Sequence, residues 1–136
     1  MTKSQKIAVL VEEWLKRAHD DELNASSILR HRDGTPVATC FLSQQIAEKC
    51  LKALLLYCSS DYPRTHDLSL LLGLLKAHVP SIHRALREDV LSLGPYYIAT
   101  RYPADVPLED FTWPIAVKAF EAAQRIQQFV LKKINR

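Results

Sequence analysis

Apolar residues recur at intervals of three and four over most of the chain, which is the spacing that places them on one face of an α-helix. Ser4 can cap a first helix that ends near Arg30. Thr35-Pro36, a capping residue followed by proline at the first helical position, begins a second helix that extends to about Tyr57. The predicted buried stripes are Ile7, Val11, Trp14, Ala18, Ala25 and Ile28 on the first helix, and Val37, Phe41, Gln44, Glu48, Leu51, Leu55 and Cys58 on the second.

Two further helices are predicted after a polar break. Thr65 or Asp67 caps a leucine-dense third helix that ends near His78, and its hydrophobicity on all sides predicts deep burial. A fourth helix extends from about Ser81 to Thr100. Gly94-Pro95 should bend or split this helix, because proline lacks a backbone donor and clashes with the preceding turn.

The last predicted helix follows an extended connection over residues 102–111. Thr112 caps it. Few β-branched runs and only three glycines also favour helix over strand. With 136 residues, the chain can bury a sufficient core without disulfides, so we expect one all-α domain over residues 1–136. The apolar stripe of the last helix is Ile115, Ala119, Ala122, Ile126 and Phe129.

Charge and cysteine content narrow the class of protein. The formal net charge of +3 permits an anionic ligand, but it is too small to indicate a dedicated duplex-binding protein. Cys40, Cys50 and Cys58 all fall in one predicted helix, too far apart to bridge one another, so reduced thiols are expected. The N-terminal segment MTKSQKIAVLVEEWLKR shows neither a secretory core nor a membrane span. We therefore expect a cytoplasmic protein with no membrane segment.

Polar side chains interrupt the apolar stripes. Asp21 lies where the first stripe requires an apolar residue, so its carboxylate should meet a cationic or donor group from another helix. On the second helix, Gln45, Lys49 and Lys52 share one face, and Gln44 and Glu48 form a similar pair beside them. One interpretation is a solvated flank with an intrahelical ion pair between Glu48 and Lys52. The other is a polar pocket inside the bundle.

Two helix ends carry further candidate groups. Arg64, Thr65 and His66 lie at a helix N-terminus, where unpaired N–H groups favour an anion. The other interpretation is plain helix capping, with His66 hydrogen-bonded to a neighbouring helix. Arg101 and Tyr102 follow Tyr97 at the end of the fourth helix. Arg101 can bind a ligand there, satisfy terminal carbonyls or reach Asp21.

Several chemistries are disfavoured by the motifs. The sequence shows no glycine-rich phosphate loop, no His-Glu-x-x-His pair, no paired-cysteine zinc spacing and no serine elbow. The five histidines are scattered over different helices, which is more typical of surface or core positions than of metal ligands. We therefore expect no metal and no cofactor.

Three segments together resemble the HEPN family, the helical domains named for higher eukaryotes and prokaryotes nucleotide-binding. They are FLSQQIAEKCLKA at residues 41–53, PRTHDL at 63–68 and TRYP at 100–103. The resemblance covers nearly the whole chain and implies an up-and-down bundle of four to five helices that commonly forms homodimers. It also implies a minimal nucleotidyltransferase as a possible partner, in a toxin–antitoxin or defence setting.

The catalytic motif of the family's ribonucleases is missing. Those members use an Arg followed after four to six residues by His, whereas the corresponding positions after Arg101 hold Val106, Pro107 and Leu108. Elsewhere in the sequence no Arg has a His at that distance. Catalysis would then depend on tertiary proximity of His66 and Arg101.

These observations lead to three hypotheses. The first is a homodimeric module that binds a nucleotide or RNA, or docks a nucleotidyltransferase, without chemistry of its own. The second is a metal-independent ribonuclease with a non-standard site made by His66 and Arg101. The third is a purely structural dimerisation module. The candidate ligand-binding residues are Arg64, His66, Arg101, Tyr102, Lys49, Gln45 and Asp21.

Overall fold

The chain folds into helices. The computed structural model describes residues 1–103 and 106–135, and this part of the chain contains no strand. The predicted all-α fold is therefore confirmed. Positions 104 and 105 of the predicted connection lie outside the described residues. The helices are α1 (Lys3–His31), α2 (Pro36–Ser59), α3 (Leu68–Leu75), α4 (Ile82–Leu93), α5 (Tyr96–Ala99) and α6 (Trp113–Lys133), with a 3₁₀ turn at Leu108–Asp110.

Local side-chain bonds set the starts of three helices. Thr2 caps α1 through a reciprocal capping box with Gln5, so the predicted cap at Ser4 was wrong by two residues. Asp67 caps α3, which decides between the two predicted candidates. Thr112 caps α6 as predicted. In each case the side-chain oxygen satisfies a backbone N–H that has no partner within the helix.

The central element is α2, because α1, α3, α4, α5 and α6 all pack against it. Surrounded in this way, α2 buries polar as well as apolar side chains, among them Gln44, Glu48 and Lys52. Its buried apolar residues are Cys40, Ile46, Ala47, Cys50, Leu51, Ala53, Leu54, Leu55 and Leu56.

Proline breaks the fourth predicted helix. It divides at Gly94-Pro95 into α4 and the one-turn helix α5, as predicted. Because of this break, α5 packs on α2 and brings Tyr97 to His66 at the end of the loop before α3.

Burial differs from the prediction at several positions. The prediction that α3 is deeply buried on all sides was wrong, since Leu70 and Leu74 are 46% and 43% exposed. This helix packs on α2 and α4 with one face and leaves the other open. Cys58 is exposed in the last turn of α2. On α6, Ile115 is exposed and Phe129 is partly buried, while Ala119, Ala122 and Ile126 are buried as predicted.

Candidate functional site

A buried polar network lies on one face of α2. The Glu48 side chain is 4% exposed and accepts hydrogen bonds from Lys52 Nζ at 3.0 Å and from Gln44 Nε2 at 3.2 Å. Lys52 and Gln44 stand four residues after and four residues before Glu48, so helical spacing places both beside its carboxylate. The ion pair predicted between Glu48 and Lys52 is confirmed, but it is buried, and the solvated-flank interpretation is wrong for these two residues.

Aromatic rings surround the Lys52 ammonium. Nζ lies 5.3 Å from the centre of the Trp14 ring and 5.9 Å from that of Tyr62. The two rings meet edge to face at a centroid distance of 5.5 Å. Lys52 is therefore held by cation–π attraction on one side and by the Glu48 carboxylate on the other.

The network reaches the surface at His66. Its Nδ1 lies 3.0 Å and 3.2 Å from the two carboxylate oxygens of Glu48, and its side chain is 53% exposed. Gln44 Nε2 also donates to the backbone carbonyl of His66 at 3.3 Å. The loop before α3 is thereby attached to α2 through both the ring and the backbone of His66.

Tyr97 and Arg101 complete the arrangement from α5 and its C-terminal end. The rings of His66 and Tyr97 are stacked, with centroids 3.9 Å apart and planes 11° from parallel. Arg101 Cζ lies 4.7 Å from the Tyr97 ring centre and 5.7 Å from that of Tyr102. Because both groups contact the Tyr97 ring, the distance between the His66 ring centre and Arg101 Cζ cannot exceed the sum of their distances to the Tyr97 ring centre. We call His66, Tyr97 and Arg101 the aromatic cluster.

Two grooves contain residues of the aromatic cluster. The first is about 540 Å³, contains His66 and Tyr97, and has a mostly apolar wall that includes Leu91 and Ile98. The second is about 330 Å³, and its lining includes Arg101, Tyr102 and Phe111. A ligand could lie in either groove with its charged end at the cluster.

Comparisons with known proteins agree with this architecture. A model of the HEPN domain family matches residues 11–134. The chain belongs to the HEPN domain family. Among solved structures, it is similar to ST0689, an archaeal HEPN homologue, with 31% identity, a TM-score of 0.73 and coverage of 91% of this chain and 97% of that one. TT1696 from Thermus thermophilus is 32% identical, with a TM-score of 0.73 and coverage of 90% and 97%. A comparison with curated proteins found no match.

Other predicted site residues of this HEPN domain lie apart from the aromatic cluster. Asp21 is partly buried and forms an ion pair with Lys49, so the predicted partner from another helix is confirmed. Arg101 stacks on Tyr97, and its predicted alternative contact with Asp21 is not formed. Gln45 Nε2 donates to the side-chain oxygen of Gln44 and so adds a further hydrogen bond to the buried network.

At the N-terminus of α3 in this HEPN domain, side-chain oxygens of the chain itself already accept hydrogen bonds from backbone N–H groups. Asp67 Oδ1 accepts from the helix backbone, and Thr65 Oγ1 accepts from the backbone N–H of Asp67. Arg64 is exposed, and in the described part of the chain it forms no hydrogen bond or ion pair. These contacts favour the capping interpretation of this helix start, with Asp67 as the cap, and leave Arg64 available to a ligand.

Two residues that contact His66 were absent from the predicted ligand-binding set. Glu48 was predicted only as part of a possible polar pocket, and Tyr97 only as a neighbour of Arg101 and Tyr102 in the sequence. The available signal for Glu48 was its place on the apolar stripe of α2, where a carboxylate requires partners. For Tyr97 the sequence holds no comparable signal, because its contact with His66 is tertiary.

Burial disfavours thiolate formation at two cysteines of this HEPN domain. Burial raises the pKa of Cys40 from 9.0 to about 11 and also raises that of Cys50, which disfavours their thiolates. Residues 1–103 and 106–135 contain no group of three His, Cys, Asp or Glu residues that could hold a metal ion. Over the same ranges, no helix is long and apolar enough to cross a membrane.

Proposed function

We propose that this HEPN domain binds the phosphate of a nucleotide or of an RNA end at the aromatic cluster. The observation that carries the proposal is that buried Glu48 holds the His66 ring against Tyr97, on which Arg101 also packs. The Arg101 guanidinium can donate charge-assisted hydrogen bonds to phosphate oxygens, and Nε2 of an imidazole whose Nδ1 is held by a carboxylate can do so once the ring is protonated. The exposed face of Tyr102 supports stacking of a base.

The surface beside the cluster supports a homodimer. Leu91 and Ile98 are 53% and 62% exposed and line the first groove, while Leu108 is 63% exposed beside the second. A second copy on this surface would cover these side chains and bring two aromatic clusters together. Sedimentation should show a dimer that Ile98→Glu weakens, whereas Val9→Glu, at an exposed position on α1, should leave it unchanged. A wild-type monomer would contradict this part of the proposal.

The proposed setting follows from membership in the family. A minimal nucleotidyltransferase, in a toxin–antitoxin or defence system, is the partner we propose for this HEPN domain. A pull-down with the wild-type protein and with Arg101→Ala would show whether such a partner docks at the cluster.

Thermal-shift measurements test phosphate binding. Nucleoside mono-, di- and triphosphates and a short RNA should raise the Tm of the wild-type protein, because a ligand that binds only the folded state stabilises it. Arg101→Ala and His66→Ala should each remove that rise, measured from each variant's own ligand-free Tm. Arg87→Ala on α4 is the control, since it removes the same charge as Arg101→Ala from an exposed position that lines neither groove. Equal shifts in all three variants would rule out the proposed site.

Metal-independent RNA cleavage is the second candidate, and the contact between Glu48 and His66 favours it. A carboxylate that holds one imidazole nitrogen leaves the other free to take a proton. In such a reaction Nε2 would accept the proton of a ribose 2′-hydroxyl as its oxygen attacks the adjacent phosphorus. The bond from phosphorus to the 5′-oxygen would break, and that oxygen would take a proton from water. Cleavage that persists in EDTA and disappears in His66→Ala would support this function. If the wild-type protein binds RNA but does not cleave it, the ribonuclease function is ruled out and only the binding function remains.

A further inference from the structure

Lys52 places a positive charge in the interior of the bundle, next to Glu48 and two aromatic rings. Its side chain is 6% exposed, and a buried ammonium is unfavourable unless it is fully compensated. It does not reach the surface where a ligand would bind. Its ion pair is with Glu48, which in turn contacts His66. Lys52 is therefore placed to act on His66 through Glu48.

The other partners of Glu48 determine which group is the donor in its hydrogen bond with His66. Lys52 Nζ can only donate, and the amide nitrogen of Gln44 also donates. In its ion pair with the ammonium, the carboxylate offers only lone pairs, so it accepts and does not donate. The proton shared with His66 must then come from Nδ1. In residues 1–103 and 106–135, Nε2 of His66 has no hydrogen-bond partner.

We infer that Lys52 is a positioning residue that acts through Glu48 to keep the proton of neutral His66 on Nδ1, with Nε2 presented to the ligand as an open acceptor. The relevance to ligands rests on the proposed function, but the protonation pattern belongs to the free protein. A ring presented in this form can accept a hydrogen bond from a hydroxyl or a protonated phosphate, and it can take up a proton. Lys52 therefore determines whether Nε2 of His66 can accept a hydrogen bond or a proton in the groove.

Removing the ammonium should change the proton on His66. In Lys52→Met, Glu48 loses its cation, and a buried carboxylate in that situation either becomes neutral or draws a proton onto a neighbouring group. A neutral carboxyl group would donate to Nδ1 and leave the ring proton on Nε2. An imidazolium beside Glu48 would carry protons on both nitrogens. In both cases Nε2 becomes protonated.

Nitrogen NMR of the imidazole rings in the ligand-free protein measures this directly, because protonated and unprotonated ring nitrogens resonate far apart. Spectra at about pH 8, above the ordinary titration range of imidazole, would be assigned by the signals lost in His66→Gln. The wild type should show Nδ1 protonated and Nε2 unprotonated. Lys52→Met should show Nε2 protonated, and Lys52→Arg should keep the wild-type pattern.

Lys49→Met is the matched control. Lys49 lies on the same helix and is also ion-paired, but its partner is Asp21. Its substitution should leave the His66 signals unchanged. An unprotonated Nε2 in a folded Lys52→Met variant would overturn the inference. A protonated Nε2 in the wild type would also overturn it, and that measurement does not depend on any variant folding.

The two proposals fail separately. A wild-type protein without a nucleotide or RNA thermal shift, but with the expected His66 signals, would refute phosphate binding and retain the role of Lys52. A wild-type protein that binds, but whose His66 signals do not respond to Lys52→Met, would refute the role of Lys52 and retain phosphate binding.

Discussion

At the scale of single residues, Glu48 connects the interior of the protein to the candidate site. Its two oxygens accept from Lys52 and Gln44 inside the bundle and contact Nδ1 of His66 at the surface. Each of these contacts compensates part of the cost of burying a charge. The same residue thus stabilises the fold and orients the imidazole.

Glu48→Gln should destabilise the protein by about 3–5 kcal/mol, because it leaves the Lys52 ammonium buried without a counter-charge. Urea unfolding measures the loss. Glu13→Gln, which removes the exposed ion pair with Arg17, is the control and should cost less than about 1 kcal/mol. A loss below about 1 kcal/mol for Glu48→Gln would mean that the rings of Trp14 and Tyr62 compensate the ammonium by themselves.

At the scale of helices, caps and breaks decide where the site residues stand. Asp67 begins α3 directly after His66, and Pro95 ends α4 so that α5 can carry Tyr97 to the imidazole. Both signals are local in the sequence. Their effect on the site is not local, because His66 and Tyr97 meet only when α3, α4 and α5 pack around α2.

Two threonine caps offer a matched comparison. Thr112 accepts a hydrogen bond from the backbone of α6, whereas Thr35 at the start of α2 makes no such bond. Thr112→Ala should therefore lower the free energy of unfolding by about 1 kcal/mol, and Thr35→Ala by clearly less. Chemical denaturation of the two variants checks this. Equal losses would show that the hydrogen bond to the threonine side chain contributes nothing measurable at Thr112.

At the scale of the whole molecule, burial around α2 shifts the titration of groups in the core. Desolvation raises the pKa of Cys40 to about 11, and it raises the pKa of Cys50 and of Tyr96. These groups stay protonated in the folded state at a pH where the unfolded chain has begun to lose its protons. Their contribution to stability is complete below the unfolded pKa and is lost as the pH rises through the folded values.

The free energy of unfolding should therefore fall as the pH rises from about 9 towards 11. Urea unfolding at a series of pH values measures the slope, and the double variant Cys40→Ala with Cys50→Ala should show a shallower one. The slope is compared rather than the absolute stability, since the cavities left by alanine lower stability at every pH. Identical slopes in the two proteins would contradict the assignment to these thiols.

Some of this protein could be predicted from the sequence because the causes lie within a few residues. Helix periodicity, the caps at Asp67 and Thr112 and the break at Gly94-Pro95 are of this kind. The need of Asp21 for a cationic partner also followed, since a carboxylate on an apolar stripe is costly without one. The sequence by itself thus determined the helices, their breaks and which polar groups required partners.

The tertiary structure decided which of those groups meet and how deeply they lie. Periodicity cannot show whether a helix face meets water or another helix, so the burial of Lys52 and the exposure of Leu70 depended on where α1, α3 and α4 pack. The same holds for His66 and Arg101, which are distant in the chain and come together on Tyr97. The physical reason is that burial and long-range contact are properties of the neighbours that packing supplies.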